Sequence, residues 1–83
     1  IQDNPDGEEK SYYEDGMQKS LKTFKNGLLD GPFKEWNENG VLIFSAEYKE
    51  GMKHGKWLKY NADGSLKVEM EFENNKQIKK VRL

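Results

Sequence analysis

The stretch YKEGMKHGKWLKYNADG at residues 48–64 repeats the pattern of FKNGLLDGPFKEWNENG at residues 24–40. The same 24-residue spacing links further glycine and aromatic series, among them Gly16, Gly40 and Gly64, Phe24, Tyr48 and Phe72, and Tyr12, Trp36 and Tyr60. A fixed period of this length is the signature of a tandem-repeat protein. The sequence therefore predicts a single repeat domain over residues 1–83. Its copies are placed at 12–35, 36–59 and 60–83, with the tail of a preceding copy at 1–11.

Each copy carries two turn signals. The first is Asp15-Gly16, Asn39-Gly40 and Asp63-Gly64, and such pairs favour the positive φ angles of tight hairpin turns. The second begins at Gly27 and Gly51, and we expect a longer turn there that closes at Gly31 and Gly55. In the third copy Asn75 and Lys79 stand at these two glycine positions, and asparagine tolerates the left-handed region.

Apolar and polar residues alternate between the turns. Leu66, Val68, Met70 and Phe72 alternate with charged residues in the third copy, which is typical of a half-buried antiparallel strand. The first copy is more polar at these positions, so we expect it to be an end cap. A second, short strand is predicted at residues 32–36 and 56–60. The fold class is therefore all-β, an elongated twisted antiparallel sheet of tandem β-hairpins with about six to seven strands.

Composition narrows the class of protein. Apolar residues are 34% of the chain and charged residues 35%, yet the net charge is only −1 and ten residues are aromatic, which argues against disorder. The absence of cysteine excludes disulfides and cysteine-based zinc sites. No apolar run reaches the length of a transmembrane helix. The cellular compartment stays open, since both cytoplasmic and exported proteins can lack cysteine.

Residues that could carry chemistry are better explained by the repeat. The segment around Gly51 and Gly55 resembles a phosphate-binding loop, but it is one residue short and lacks the Ser/Thr after the lysine. His54, the only histidine, is expected in an exposed turn, with no other His or Cys to complete a metal site. Carboxylates such as Glu69 and Glu71 alternate with the buried positions and are expected to face water. We therefore predict no catalytic residue, no cofactor and no metal site.

The aromatic residues are the best candidates for binding. Tyr12, Phe33, Trp36, Trp57 and Tyr60 recur at fixed positions of the repeat. One interpretation makes them the core of a thin sheet with little else to bury. The other makes them contact residues, with Trp36 and Trp57 partly exposed, because partly exposed aromatic residues are typical of binding hot spots.

Charge is uneven along the chain. Residues 1–16 hold six acidic residues against one lysine, and residues 74–83 hold four basic residues and no acid. Weak head-to-tail self-association is one interpretation, and solvated chain ends are the other. The pI of 5.9 argues against nucleic acid. The three charges of Lys79, Lys80 and Arg82 are too few for a lipid-binding cluster, so the favoured partner is another protein and an anionic membrane surface is the alternative.

The segment from Tyr48 to Trp57 resembles the core of the MORN repeat: an aromatic residue, two glycines with three residues between them, then a second aromatic residue. The 24-residue spacing and the step from Trp36 to Gly40 resemble the bacterial variant of that repeat, which occurs in YwqK-like antitoxin components of toxin–antitoxin pairs. The resemblance covers residues 12–83 and departs at Asn75 and Lys79. It implies a ribbon of hairpins acting as a non-catalytic protein-interaction or scaffold module, with a toxin as one partner to expect.

Overall fold

Seven β-strands make up most of residues 6–82, the part of the chain that the computed structural model describes. All seven lie in one antiparallel sheet, each hydrogen-bonded to its neighbours in sequence, and the molecule measures 43 × 36 × 12 Å. The predicted all-β sheet of tandem hairpins is confirmed. No helix long and apolar enough to cross a membrane occurs within the described range. The strands are β1 (Gly7–Tyr12), β2 (Gln18–Lys25), β3 (Leu28–Trp36), β4 (Leu42–Lys49), β5 (Met52–Tyr60), β6 (Leu66–Glu73) and β7 (Lys76–Arg82).

The loops after β1, β3 and β5 share one conformation. In the loop after β3, the Gly40 amide donates to the Asn37 carbonyl at 3.0 Å, and the Asn37 amide donates to the Val41 carbonyl at 2.9 Å. Gly40 has a φ of 81°. This is the three-residue hairpin loop in which a type I turn is followed by a left-handed residue. The equivalent loops end on Gly16 and Gly64 with the same bonds, so the first turn prediction is confirmed.

The turns after β2, β4 and β6 are two-residue hairpins. Both central residues have positive φ, 55° and 80° at Asn26 and Gly27 and 53° and 83° at Glu50 and Gly51, as a type I′ turn requires. The prediction of a longer turn was wrong, because the strands resume at once and β3 and β5 reach nine residues each. Asn74 and Asn75 form the last turn without glycine, at 52° and 71°.

Gly31 and Gly55 lie inside strands, at β-bulges. Between β4 and β5 the pairing passes from Ser45↔Leu58 to Glu47↔His54, which leaves two extra residues on β5. Gly55 has a φ of 72°, and a Cβ there would lie 2.9 Å from Glu47 Oε1. The positive φ therefore favours glycine, whereas the Glu47 carboxylate lies at the end of a flexible side chain that can move aside. Between β6 and β7 the register shift involves only one extra residue, and Lys79 occupies the corresponding position.

The core lies on one side of this single-layer sheet. Residues directly opposite each other share a face, and the register brings Phe33, Ala46, Trp57 and Met70 to the same side. We call this side the aromatic face and the other the opposite face. Ala46 is 1% exposed. The residues packed together on the aromatic face are Phe33, Phe44, Ala46, Tyr48, Trp57, Met70 and Phe72.

Candidate protein-binding face

Four aromatic rings form a closed circuit around Ala46. Phe33 contacts Phe44 and Tyr48 at centroid distances of 5.9 and 5.8 Å, and Trp57 contacts the same two residues at 5.5 and 5.1 Å. The interplanar angles of 56° to 82° give tilted and edge-to-face contacts, which the ring quadrupoles favour. A side chain as small as alanine at the centre lets the four rings close over the backbone.

The five predicted binding residues divide into two groups. Phe33 and Trp57 belong to the ring circuit. Trp57 is 7% exposed and its indole N–H donates to the Glu47 carbonyl at 3.0 Å, so the prediction that Trp57 is partly exposed was wrong. The bulge at Gly55 places Trp57 in mid-sheet between Phe44 and Tyr48, where neighbouring rings cover it.

Tyr12, Trp36 and Tyr60 form the second group, at the last position of β1, β3 and β5. These three strands run in the same direction and are two strands apart. The three residues therefore form a row across the strand ends at intervals of roughly 10 Å, and we call this side of the sheet its loop edge. Tyr12 is 56% exposed, while Trp36 and Tyr60 are half-buried, as predicted for Trp36. The Tyr13 hydroxyl donates to the Trp36 carbonyl at 2.8 Å and fixes this edge.

An open groove of about 840 Å³ on the aromatic face is lined by one residue of each group, Trp57 and Tyr60. Trp57 forms part of its floor and Tyr60 lies at its border toward the loops. Lys53, Lys59 and Lys67 also line it, and the Lys53 ammonium lies 5.1 Å from the centroids of both Trp57 and Phe72. The groove thus combines an apolar floor with walls in which lysines outnumber the one glutamate. Its remaining lining residues include Glu35, Phe44, Met70, Phe72 and Gln77.

The sequence interpretation did not select Phe44, Tyr48, Lys53 or Lys59 for this site. Phe44 and Tyr48 belong to the alternating run of β4, so the period-two pattern carried the signal that they share a face with Ala46. The lysines could be placed only after the bulges were known, because each bulge shifts the register of the residues beyond it. Burial raises the pKa of the Tyr48 hydroxyl above 10.0, so this ring is neutral at physiological pH.

His54 does not lie in an exposed turn, and that prediction was wrong. It is half-buried in β5 opposite Glu47, and its Nδ1 lacks a hydrogen-bond partner in the described structure. The register explains the error, because the tight turn ends at Gly51 and the strand has already begun at Met52. Between residues 6 and 82, no group of three or more His, Cys, Asp or Glu side chains could hold a metal ion.

The geometry defines a class: an all-β protein of tandem hairpins with an open aromatic face. The sequence pattern of the MORN repeat variant matches residues 5–26, 29–50 and 53–74, segments that begin 24 residues apart. These segments include most of the chain, and the chain belongs to the MORN repeat variant family. No characterised protein and no solved structure shows significant similarity to it. Membership of this family points to a repeat-based binding or scaffold module.

Proposed function

We propose that the chain is a non-catalytic protein-interaction module and that it binds its partner on the aromatic face. One observation carries the proposal: the aromatic cluster lies on one side of a sheet only 12 Å thick, and no second layer covers it within residues 6–82. Domains normally bury an apolar sheet face against another layer. An aromatic groove left open in a family of binding modules is a natural contact surface.

The candidate residues take different roles in this proposal. Tyr60, at the border of the groove, and Trp36 and Tyr12, along the loop edge, are proposed to contact the partner. Trp57 and Phe33 hold the floor of the groove rigid, because their neighbours already cover most of the Trp57 surface. A rigid aromatic floor lowers the entropic cost of ordering side chains on binding.

Site-specific photo-crosslinking tests the proposal. A photoreactive amino acid is placed at Lys59 on the aromatic face, or at Lys56 on the opposite face of the same strand. Both side chains are exposed, so the two positions are matched controls. We expect a specific protein adduct in source lysate from position 59 and not from position 56. Equal labelling from both positions, or none from 59, contradicts a binding role for the aromatic face.

The finer form of the proposal makes the partner a toxin and the chain its antitoxin. Its support is the resemblance of the repeat to YwqK-like antitoxin components. Co-expression tests it: a neighbouring gene whose product arrests growth should cease to do so when this chain is present. Growth arrest that persists at equal expression rejects the antitoxin role and leaves the interaction module standing.

A membrane surface is the second candidate, because the lysines that line the groove would also attract anionic lipid. The test is sedimentation with vesicles of phosphatidylcholine and phosphatidylserine at low salt. Binding that rises with the phosphatidylserine content supports this candidate, and its absence at low salt eliminates it.

A further inference from the structure

We infer that the partner presents an acidic segment, with at least one apolar side chain, which lies across β4–β7 on the aromatic face. This inference rests on the proposed function and adds the chemistry of the partner. Its basis is an asymmetry of charge between the two faces of the sheet.

Over β4–β7 the aromatic face carries only cations. Lys59 shares that face with Phe44 and Val68, and Lys80 lies opposite Met70. Among the residues paired across these strands, the opposite face is balanced, with four acidic and four basic residues. Lys67, the unpaired bulge residue of β6, is a further cation and lines the groove. The cations of the aromatic face are Lys53, Lys59, Lys80 and Arg82. The charged residues of the opposite face are Glu47, Lys49, Lys56, Glu69, Glu71, Glu73, Lys76 and Lys79.

Ion pairing follows the same division. The two ion pairs formed within residues 6–82 join Lys10 to Glu8 at 3.7 Å and Lys56 to Glu69 at 3.5 Å. The register places both pairs on the opposite face. The four cations of the aromatic face therefore have no carboxylate partner in the described part of the chain. Like charges gathered on one face repel one another, and an anionic ligand relieves that repulsion.

The cations border apolar surface rather than open water. One row across the sheet runs Phe44, Lys59, Val68 and Arg82 through β4, β5, β6 and β7. Lys59 and Arg82 are two strands apart, roughly 10 Å between Cα atoms. The contact of Lys53 with the Trp57 and Phe72 rings holds its charge beside the groove. A ligand with carboxylates alone would leave the aromatic floor of the groove exposed to water. We therefore expect the ligand to carry an apolar residue as well.

The charge of the aromatic face is uniformly positive over β4–β7 and mixed over β1–β3, which favours a narrow ligand over a flat membrane. Toward β1 the aromatic face carries Glu35 on β3 and Glu9 on β1, with Lys22 between them on β2. A membrane lying on the whole face would bring these carboxylates against anionic lipid. A chain segment confined to β4–β7 meets the cations alone, with Glu35 at the border of its groove.

Selection from a random-peptide phage library tests the inference. We expect enriched peptides with net negative charge and an aromatic or aliphatic residue, and binding that weakens as salt rises. The double variant Lys59→Glu/Arg82→Glu should lower the affinity for the selected peptides by at least about tenfold. The matched control Lys34→Glu/Lys49→Glu makes the same change of charge on the opposite face and should leave binding within about twofold. Circular dichroism checks that both variants fold.

Each other outcome has a defined meaning. Neutral or basic peptides that bind the aromatic face overturn the acidic partner but leave the interaction module standing. Peptides lost only in the opposite-face control overturn both. Failure to enrich any peptide overturns the acidic segment, while crosslinking at position 59 still decides the proposed function. Anionic vesicles that bind through Lys59 and Arg82, with no acidic peptide enriched, assign the face to a membrane surface instead.

Discussion

Replacing Trp57 by alanine tests whether the aromatic ring circuit holds the sheet together. Trp57 contacts Phe44, Tyr48 and Phe72 at centroid distances of 5.5, 5.1 and 5.2 Å, and its indole N–H donates to the Glu47 carbonyl at 3.0 Å. Truncating a buried aromatic residue to alanine costs roughly 3–5 kcal/mol. Because water can enter from the open side of a single-layer sheet, we expect the lower end, about 3 kcal/mol.

Trp36→Ala is the matched control. Trp36 is half-buried at a strand end, and its contact with the Tyr13 hydroxyl uses a backbone carbonyl that the substitution keeps. We expect a cost of about 1 kcal/mol there. A domain of 83 residues has a free energy of unfolding of roughly 4–12 kcal/mol, so a loss of about 3 kcal/mol is a large part of the total.

Urea unfolding followed by far-ultraviolet circular dichroism measures both variants without relying on tryptophan emission. The free energies follow from the midpoints, provided that the slope with urea is unchanged. If Trp57→Ala costs less than about 1 kcal/mol, or no more than Trp36→Ala, the ring circuit is not the principal source of stability and the reasoning is refuted.

Three further outcomes are expected. Gly55→Val should lower stability by about 2 kcal/mol, since its φ of 72° is strained for a β-branched residue; a thermal midpoint equal to wild type would contradict the bulge. Burial raises the pKa of Tyr48, so the folded state holds its proton more tightly than the unfolded state. Stability should therefore fall as pH rises above 10.0, and melting curves should show this loss reduced in Tyr48→Phe. Hydrogen bonds from Ser65 lower the pKa of Asp63 below 3.8, so Ser65→Ala should raise it in an NMR titration, and an unchanged pKa would show that the hydroxyl is irrelevant.

The period of the sequence predicted the sheet because every copy repeats the same turn residues. It could not distinguish a glycine that closes a turn from one that permits a bulge, since both require positive φ. Gly31 and Gly55 were therefore placed in turns, and the strands came out too short. For the same reason Trp36 and Trp57 were both predicted to be partly exposed, although the bulge beside Gly55 places Trp57 in mid-sheet.

The candidate groove was predictable only in part. Alternation indicated that Phe44 and Tyr48 share the face of Ala46, which supplies much of the apolar floor. Which lysines stand beside that floor depends on cross-strand register, and the register depends on bulges whose size differs between copies. The two-residue shift beside Gly55 and the one-residue shift near Lys79 could not be read from spacing alone.

The tight turns of successive copies are linked by hydrogen bonds that pass from one repeat to the next. Asp6 accepts from the Asn26 amide at 2.7 Å and Asp30 from the Glu50 amide at 3.3 Å, while His54 occupies the next position of the series. Next to His54 the link is made by different groups, because the Asn75 side-chain oxygen accepts from the Lys53 amide at 2.9 Å. In a linear array each unit is stabilised only by its neighbours, so these links set how far a local opening spreads. Amide hydrogen exchange should thus proceed in steps of one repeat, with the step at His54 differing from the two before it.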